Sequence, residues 1–258
     1  VARGKEVTAE LATVAAPDEP ILKVCKPSSA SCLTSVPGNT MPDISSFVQQ
    51  FAILAIPVLS AITFHEVAHG YVAYLLGDPT AKAAGRLTLN PIKHLDPIGA
   101  LALFLVKVGW AKPVPINPAY FQNPSKGLIL VSLAGPATNF LLAGLMALCF
   151  HLLSWFYVEF STPSTLFLFR PLALIFLYGV LINIGLGVFN LLPIPPLDGS
   201  NILAGFLPPK LARTYLQNAK YGFIILIVLF FTGTVHKIIL PLITILGSLL
   251  VPDLRDLI

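Results

Sequence analysis

FVQQFAILAIPVLSAITFHEVAHGYVAYLL, residues 47–76, is apolar over the length of a bilayer, yet it carries two histidines and a glutamate towards its end. About 20 consecutive apolar residues are needed to cross a hydrocarbon core roughly 30 Å thick, so the stretch reads as a membrane-spanning helix. Ionisable groups inside such a helix are costly and mark function by default. His65 and His69 are four residues apart and lie on one face of the helix, close enough to share a metal ion. Glu66 projects about 100° round the helix from His65, where it can act on water rather than on the metal.

This is the HExxH pattern, in which two imidazoles hold zinc and the glutamate serves as general base. The bland alternative is a pair of histidines hydrogen-bonded inside a helix bundle. Zinc needs a third protein ligand, with a fourth position open if the site is catalytic. His94 lies in a loop and stays a candidate, whereas His151 and His236 read as interfacial or packed histidines. A carboxylate is the stronger choice. Asp198 is the one acid between Glu159 and Asp253, and it sits in NLLPIPPLDG, residues 190–199. Pro193, Pro195 and Pro196 must break the helix there, and irregular backbone at membrane depth is tolerated only where it is buried in protein or lines a cavity. Gly199 permits a tight turn straight after the acid.

The remaining composition agrees with a membrane protein. Of 258 residues, 55% are hydrophobic and only 11% charged, far from a soluble average. The net charge of +4 is spread out, without the clustering or aromatic interleaving of a nucleic-acid surface. Further spans are expected at Leu128–Phe156 and Pro171–Leu192. Tyr221–Val251 is interrupted at Gly233–Lys237 and reads as one long tilted helix, with two short segments as the alternative. Pro97–Trp110 is too short to cross and suggests a re-entrant or interfacial hairpin. The prolines of Lys112–Ile116 require an extended chain after it. The fold class is thus an all-α polytopic membrane protein of about four transmembrane helices, with a short re-entrant or β-like insertion on the cytoplasmic side. Residues 44–252 form its core. Residues 1–43 read as a disordered extracytoplasmic arm, and residues 253–258 as a short tail. Cys25 and Cys32, in that arm, are compatible with a disulfide or with two free thiols, and Cys149 reads as a buried thiol.

Basic residues set the orientation. Lys82, Arg86, Lys93, Lys107, Lys112 and Lys126 lie between the first two spans, and Lys210, Arg213 and Lys220 follow the third. The link between spans two and three carries only Arg170. The positive-inside rule places the first two of these segments in the cytoplasm. From Phe47 to His65 is about 27 Å of helix, which puts the histidines near the cytoplasmic side. The third span runs the other way and reaches that side at Asn190–Asp198. Both half-sites therefore arrive at one depth, where His65, His69 and Asp198 would hold one zinc ion.

With HEVAH at 65–69, NLLPIPPLDG at 190–199 and AGPATN at 134–139, the chain resembles the site-2 protease family of intramembrane zinc metalloproteases. The likeness covers about residues 51–201. It implies zinc ligation by His65, His69 and Asp198, with Glu66 as catalytic base. It also implies substrate-binding roles for Asn190, which is similar to an asparagine thought to hold unwound substrate backbone, and for Asn139. The short segment from Gly77 to Gly127 leaves no room for an inserted PDZ domain, as in the compact bacterial type. The expected substrates are single-span or helical membrane proteins, cut within or near their transmembrane helices. The setting is a bacterial cell membrane, with the site near the cytoplasmic face. Alternatives are a non-proteolytic homologue that binds membrane segments, an ion- or proton-conducting protein, and a zinc hydrolase with a small-molecule substrate. A helical substrate must unwind before attack, and the extended chain at Val114 and Ile116 could pair with it by strand addition.

Overall fold

In the computed structural model, the described residues are 44–99, 109–160 and 163–252, and side chains are described for a subset of these. The expected arm at 1–43, the tip of the hairpin and the tail therefore lie outside the described residues. Eight α-helices lie wholly among them: α1 (Ile44–Leu75), α2 (Thr80–Ala83), α3 (Pro124–Phe160), α4 (Pro163–Asn190), α5 (Asp198–Phe206), α6 (Pro209–Gln217), α7 (Ala219–Phe231) and α8 (Thr234–Leu250). No strand occurs among the described residues. Three stretches are long and apolar enough to cross a membrane: Phe51–Leu75, Pro124–Phe156 and Phe169–Asn190. α6 and α7, bent by 60° at their junction, make a fourth candidate. The protein is an all-helical polytopic membrane protein.

Two boundaries differ from the sequence reading. Tyr221–Val251 is not one helix, because the chain breaks after Phe231, where Gly233 adopts φ +70°. That left-handed conformation is open to glycine at little cost and ends the helical hydrogen-bond ladder. α8 is therefore a separate, shorter apolar helix. Pro171, expected to begin the third span, lies inside α4, whose first residue is Pro163. A proline at the first helical position loses only an N–H that has no partner there.

Small residues at helical spacing bring the spans together. On α1, Ala61, His65, His69 and Ala73 form one buried stripe at intervals of four. On α3, Val131, Gly135, Asn139, Ala143 and Ala147 do the same. The alanines and glycine of these stripes let the helix backbones approach closely, which is how helices associate where no water drives them together. The main apolar core joins Ala143, Ala147 and Phe150 of α3 to Leu177, Val180, Ile184 and Val188 of α4, with Val235 and Ile239 of α8 against it. Outward residues such as Leu141 and Phe231, 75% and 84% exposed, face where lipid would be.

The segment after α1 is tied back to it. Leu95 and Ala111 pair in an isolated antiparallel bridge, and Lys112 N–H donates to the His94 carbonyl at 2.9 Å. The chain thus leaves and returns at one place, as a hairpin requires. Asp78, inaccessible to solvent, accepts from Asn117 N–H at 2.7 Å and from both the N–H and the hydroxyl of Thr80. Burial opposes its ionisation, but these donors outweigh it and hold its carboxyl below the usual carboxylate range. That clamp fixes the non-helical run 112–117 beside the polar end of α1.

Candidate active site

Each histidine of α1 is oriented through its Nδ1 atom. His69 Nδ1 lies 2.7 Å from the Val131 carbonyl, which can only accept, so this nitrogen is the protonated one. His65 Nδ1 lies 2.6 Å from Asn139 Oδ1, also an acceptor. As neutral imidazoles both therefore carry a lone pair on Nε2, and these two nitrogens face each other at 2.9 Å. Asp198, the first residue of α5, adds Oδ2 at 3.2 Å from His65 Nε2 and 3.3 Å from His69 Nε2. This oxygen is buried and has no hydrogen-bond donor.

In that state three acceptor atoms converge, and they repel one another unless a cation sits at their centre. They lie within 4.8 Å of one another and belong to the residue types that bind zinc. The donor set fits one metal ion. Nδ1–H to oxygen contacts of this kind are also what fixes the tautomer of a metal-binding histidine.

Local backbone explains how Asp198 reaches the α1 histidines. α4 ends at Asn190, and the prolines carry the chain through turns to Leu197. A Cβ on Gly199 would collide with the Leu191 carbonyl, so only glycine lets α5 begin so close to the end of α4. Gly135 has a related role on α3. A Cβ there would lie 2.5 Å from His69 Nε2 and 2.6 Å from His65 Cε1. Gly135→Ala is therefore expected to displace both imidazoles and to lower metal affinity and activity at least 10-fold. Overpacking of this kind costs about 1–3 kcal/mol, and chelator competition on the purified variant measures it.

Glu66 projects to the side of the histidine pair. Its Oε2 accepts from Val114 N–H at 2.9 Å, so the non-helical run holds the carboxylate in place. Oε1 has no protein partner among the described residues. Glu66, His65, His69 and Asp198 border one cavity of about 290 Å³, together with Val114, Ile116 and Asn190. Asn190 donates Nδ2–H to the Leu186 carbonyl at 2.9 Å, which leaves Oδ1 and a second N–H available to the cavity.

Asn139 is placed differently. It is fully buried, does not border the cavity, and commits its side chain to His65, Ala61 and Asn183. His94 is buried apart from the cavity, with Nε2 2.8 Å from the Thr88 carbonyl, while His151 meets the Leu250 carbonyl at 2.7 Å. Ser132 and Asn201 border the cavity and were not expected there. Asn201 follows Asp198 by three residues, which puts it on the same face of α5, and that spacing was the available signal.

The model of Peptidase family M50 matches residues 52–232. "Putative zinc metalloprotease YwhC" of Bacillus subtilis is 41% identical over 193 residues, covering 73% of this chain and 84% of that protein. "Putative zinc metalloprotease Rip2" of Mycolicibacterium smegmatis is 27% identical over 226 residues, covering 84% and 81%. No solved structure matches the chain. The family match spans both halves of the site, from the α1 histidines to Asp198, and with the extent of the first relative it shows that the chain belongs to Peptidase family M50.

Proposed function

We propose that this protein is an intramembrane zinc endopeptidase that hydrolyses peptide bonds within or near transmembrane helices of membrane-protein substrates. The observation that carries the proposal is the buried convergence of His65 Nε2, His69 Nε2 and Asp198 Oδ2, with Glu66 at the same cavity. His65, His69 and Asp198 hold the ion and Glu66 is the general base. Bound zinc supplies a Lewis acid that acidifies water and polarises the scissile carbonyl.

Glu66 takes a proton from the attacking water and passes it to the nitrogen of the leaving amine. Val114 N–H orients the carboxylate for this, leaving Oε1 free to accept. Asn190 holds the opened substrate backbone through Oδ1 or its free N–H. The run 112–116 offers further pairing, because the Val114 carbonyl and Ile116 N–H carry no partner among the described residues. Extended substrate added there as a strand would place its backbone along the cavity. By the distribution of basic residues, the cavity opens near the cytoplasmic face of a bacterial membrane.

A direct test uses purified protein and a peptide containing a transmembrane helix. Cleavage is expected, to be lost on treatment with a strong chelator and to return when zinc is restored. Cleavage that survives removal of all bound metal would overturn the proposal.

A further inference from the structure

Beyond the cavity, the three spans share a polar thread in otherwise apolar surroundings. Asn183, on α4, is fully buried and donates Nδ2–H to the Gly179 carbonyl at 2.8 Å. Its Oδ1 accepts from Asn139 Nδ2 at 3.0 Å. The other hydrogen of Asn139 Nδ2 goes to the Ala61 carbonyl at 3.3 Å, and Asn139 Oδ1 faces His65 Nδ1 at 2.6 Å.

The direction of this chain is set from its far end. The Gly179 carbonyl can only accept, so the Asn183 amide must present nitrogen to Gly179 and oxygen to Asn139. Asn139 must then present nitrogen to Asn183 and oxygen to His65. An oxygen at that position requires a proton on Nδ1, and neutral imidazole then carries its lone pair on Nε2. Reversal of the Asn139 amide would put an N–H against Nδ1 and move the imidazole proton to Nε2, where it would face His69 and Asp198. Asn183 supplies the shorter of the two contacts that prevent this. Buried asparagines in membrane spans are costly, and this one touches neither the cavity nor a charged group.

We infer that Asn183 is a positioning residue for the metal site: through Asn139 it fixes the tautomer and ring orientation of His65, so that Nε2 is presented to the metal. Asn139 thereby acts on a ligand instead of on substrate. The inference rests on zinc ligation by His65, as proposed above. Outer partners of this kind typically contribute 10- to 100-fold to metal affinity.

The test compares zinc affinity, by chelator competition, for full-length metal-free wild type, Asn183→Leu, Asn183→Ser, Asn183→Asp and His65→Ala. The visible absorption of the cobalt-substituted forms and the melting of the metal-free forms accompany it. Leucine should weaken zinc binding about 10- to 100-fold and alter the cobalt spectrum, with little change in metal-free melting, because Gly179 keeps its helix bond. Serine, too short to reach Asn139, should behave in the same way, which covers a leucine variant that does not fold. The carboxyl introduced by Asn183→Asp, protonated in these surroundings, keeps an oxygen towards Asn139 and should restore affinity to within a few-fold. Wild-type affinity in the leucine or serine variant, alongside a loss in His65→Ala, would overturn the role of Asn183 alone. Equal losses for leucine, serine and aspartate, matched by lower metal-free melting, would also overturn it, since packing would then account for the effect. Wild-type affinity in His65→Ala would overturn the ligand assignment itself.

Discussion

Glu66→Gln is expected to keep its bound zinc and to lose cleavage by roughly 100- to 10,000-fold, the range that general-base catalysis contributes. Glutamine has nearly the shape of glutamate and can still accept from Val114 N–H through its oxygen, so the contact that ties 112–117 to α1 survives. The proposed metal ligands are untouched, because Glu66 projects away from the His65–His69 stripe. What disappears is a carboxylate able to take a proton from water and return it to the leaving amine. A change in the maximal rate with little change in substrate affinity is the kinetic signature, since the lost interaction is made only during the reaction.

Asp198→Ala is expected to act at the preceding step, on the metal. Asp198 supplies the only negative charge among the three proposed ligand atoms, and its Oδ2 is buried with no donor to satisfy it. Removal leaves only two imidazoles on one turn of helix, and α5 then brings no metal ligand to the site. Loss of zinc affinity should exceed the 10- to 100-fold typical of an outer partner, because a direct ligand has been removed. Cleavage should fall in proportion to bound metal, so that excess zinc restores part of it. Such rescue is not expected for Glu66→Gln. The two variants therefore separate the holding of the metal from the movement of the proton.

Much of this site is legible in the sequence because its parts are local. The interval between His65 and His69 gives a shared helix face without any knowledge of neighbours. Asp198 stands out as the one acid in a long apolar region, beside prolines that must break the helix. The match in depth between the two half-sites follows from helix rise and alternating direction alone. Contacts that depend on which faces meet are less visible. Nothing in the sequence of α3 says that Asn139 points to His65 and not into the cavity, since the choice is made by close packing of the Ala61–Ala73 and Val131–Ala147 stripes. Asn183 carried the plain signal of an amide in an apolar span, but its partner lies on another helix 44 residues away. The Val114–Glu66 contact joins two segments 48 residues apart through backbone, which no side-chain pattern reports. At Gly233 the local sequence was compatible with either a continuous or a broken helix, and the left-handed glycine decided it.

One polar cluster at the end of α1 is proposed both to hold zinc and to carry the base that cuts. Zinc content and cleavage of a transmembrane-helix peptide, measured on the same preparations of wild type and Glu66→Gln, test it most directly. One zinc per chain is expected in both proteins, with cleavage only in the wild type. Cleavage at the wild-type rate by Glu66→Gln, or cleavage by wild type that holds no zinc, would contradict it.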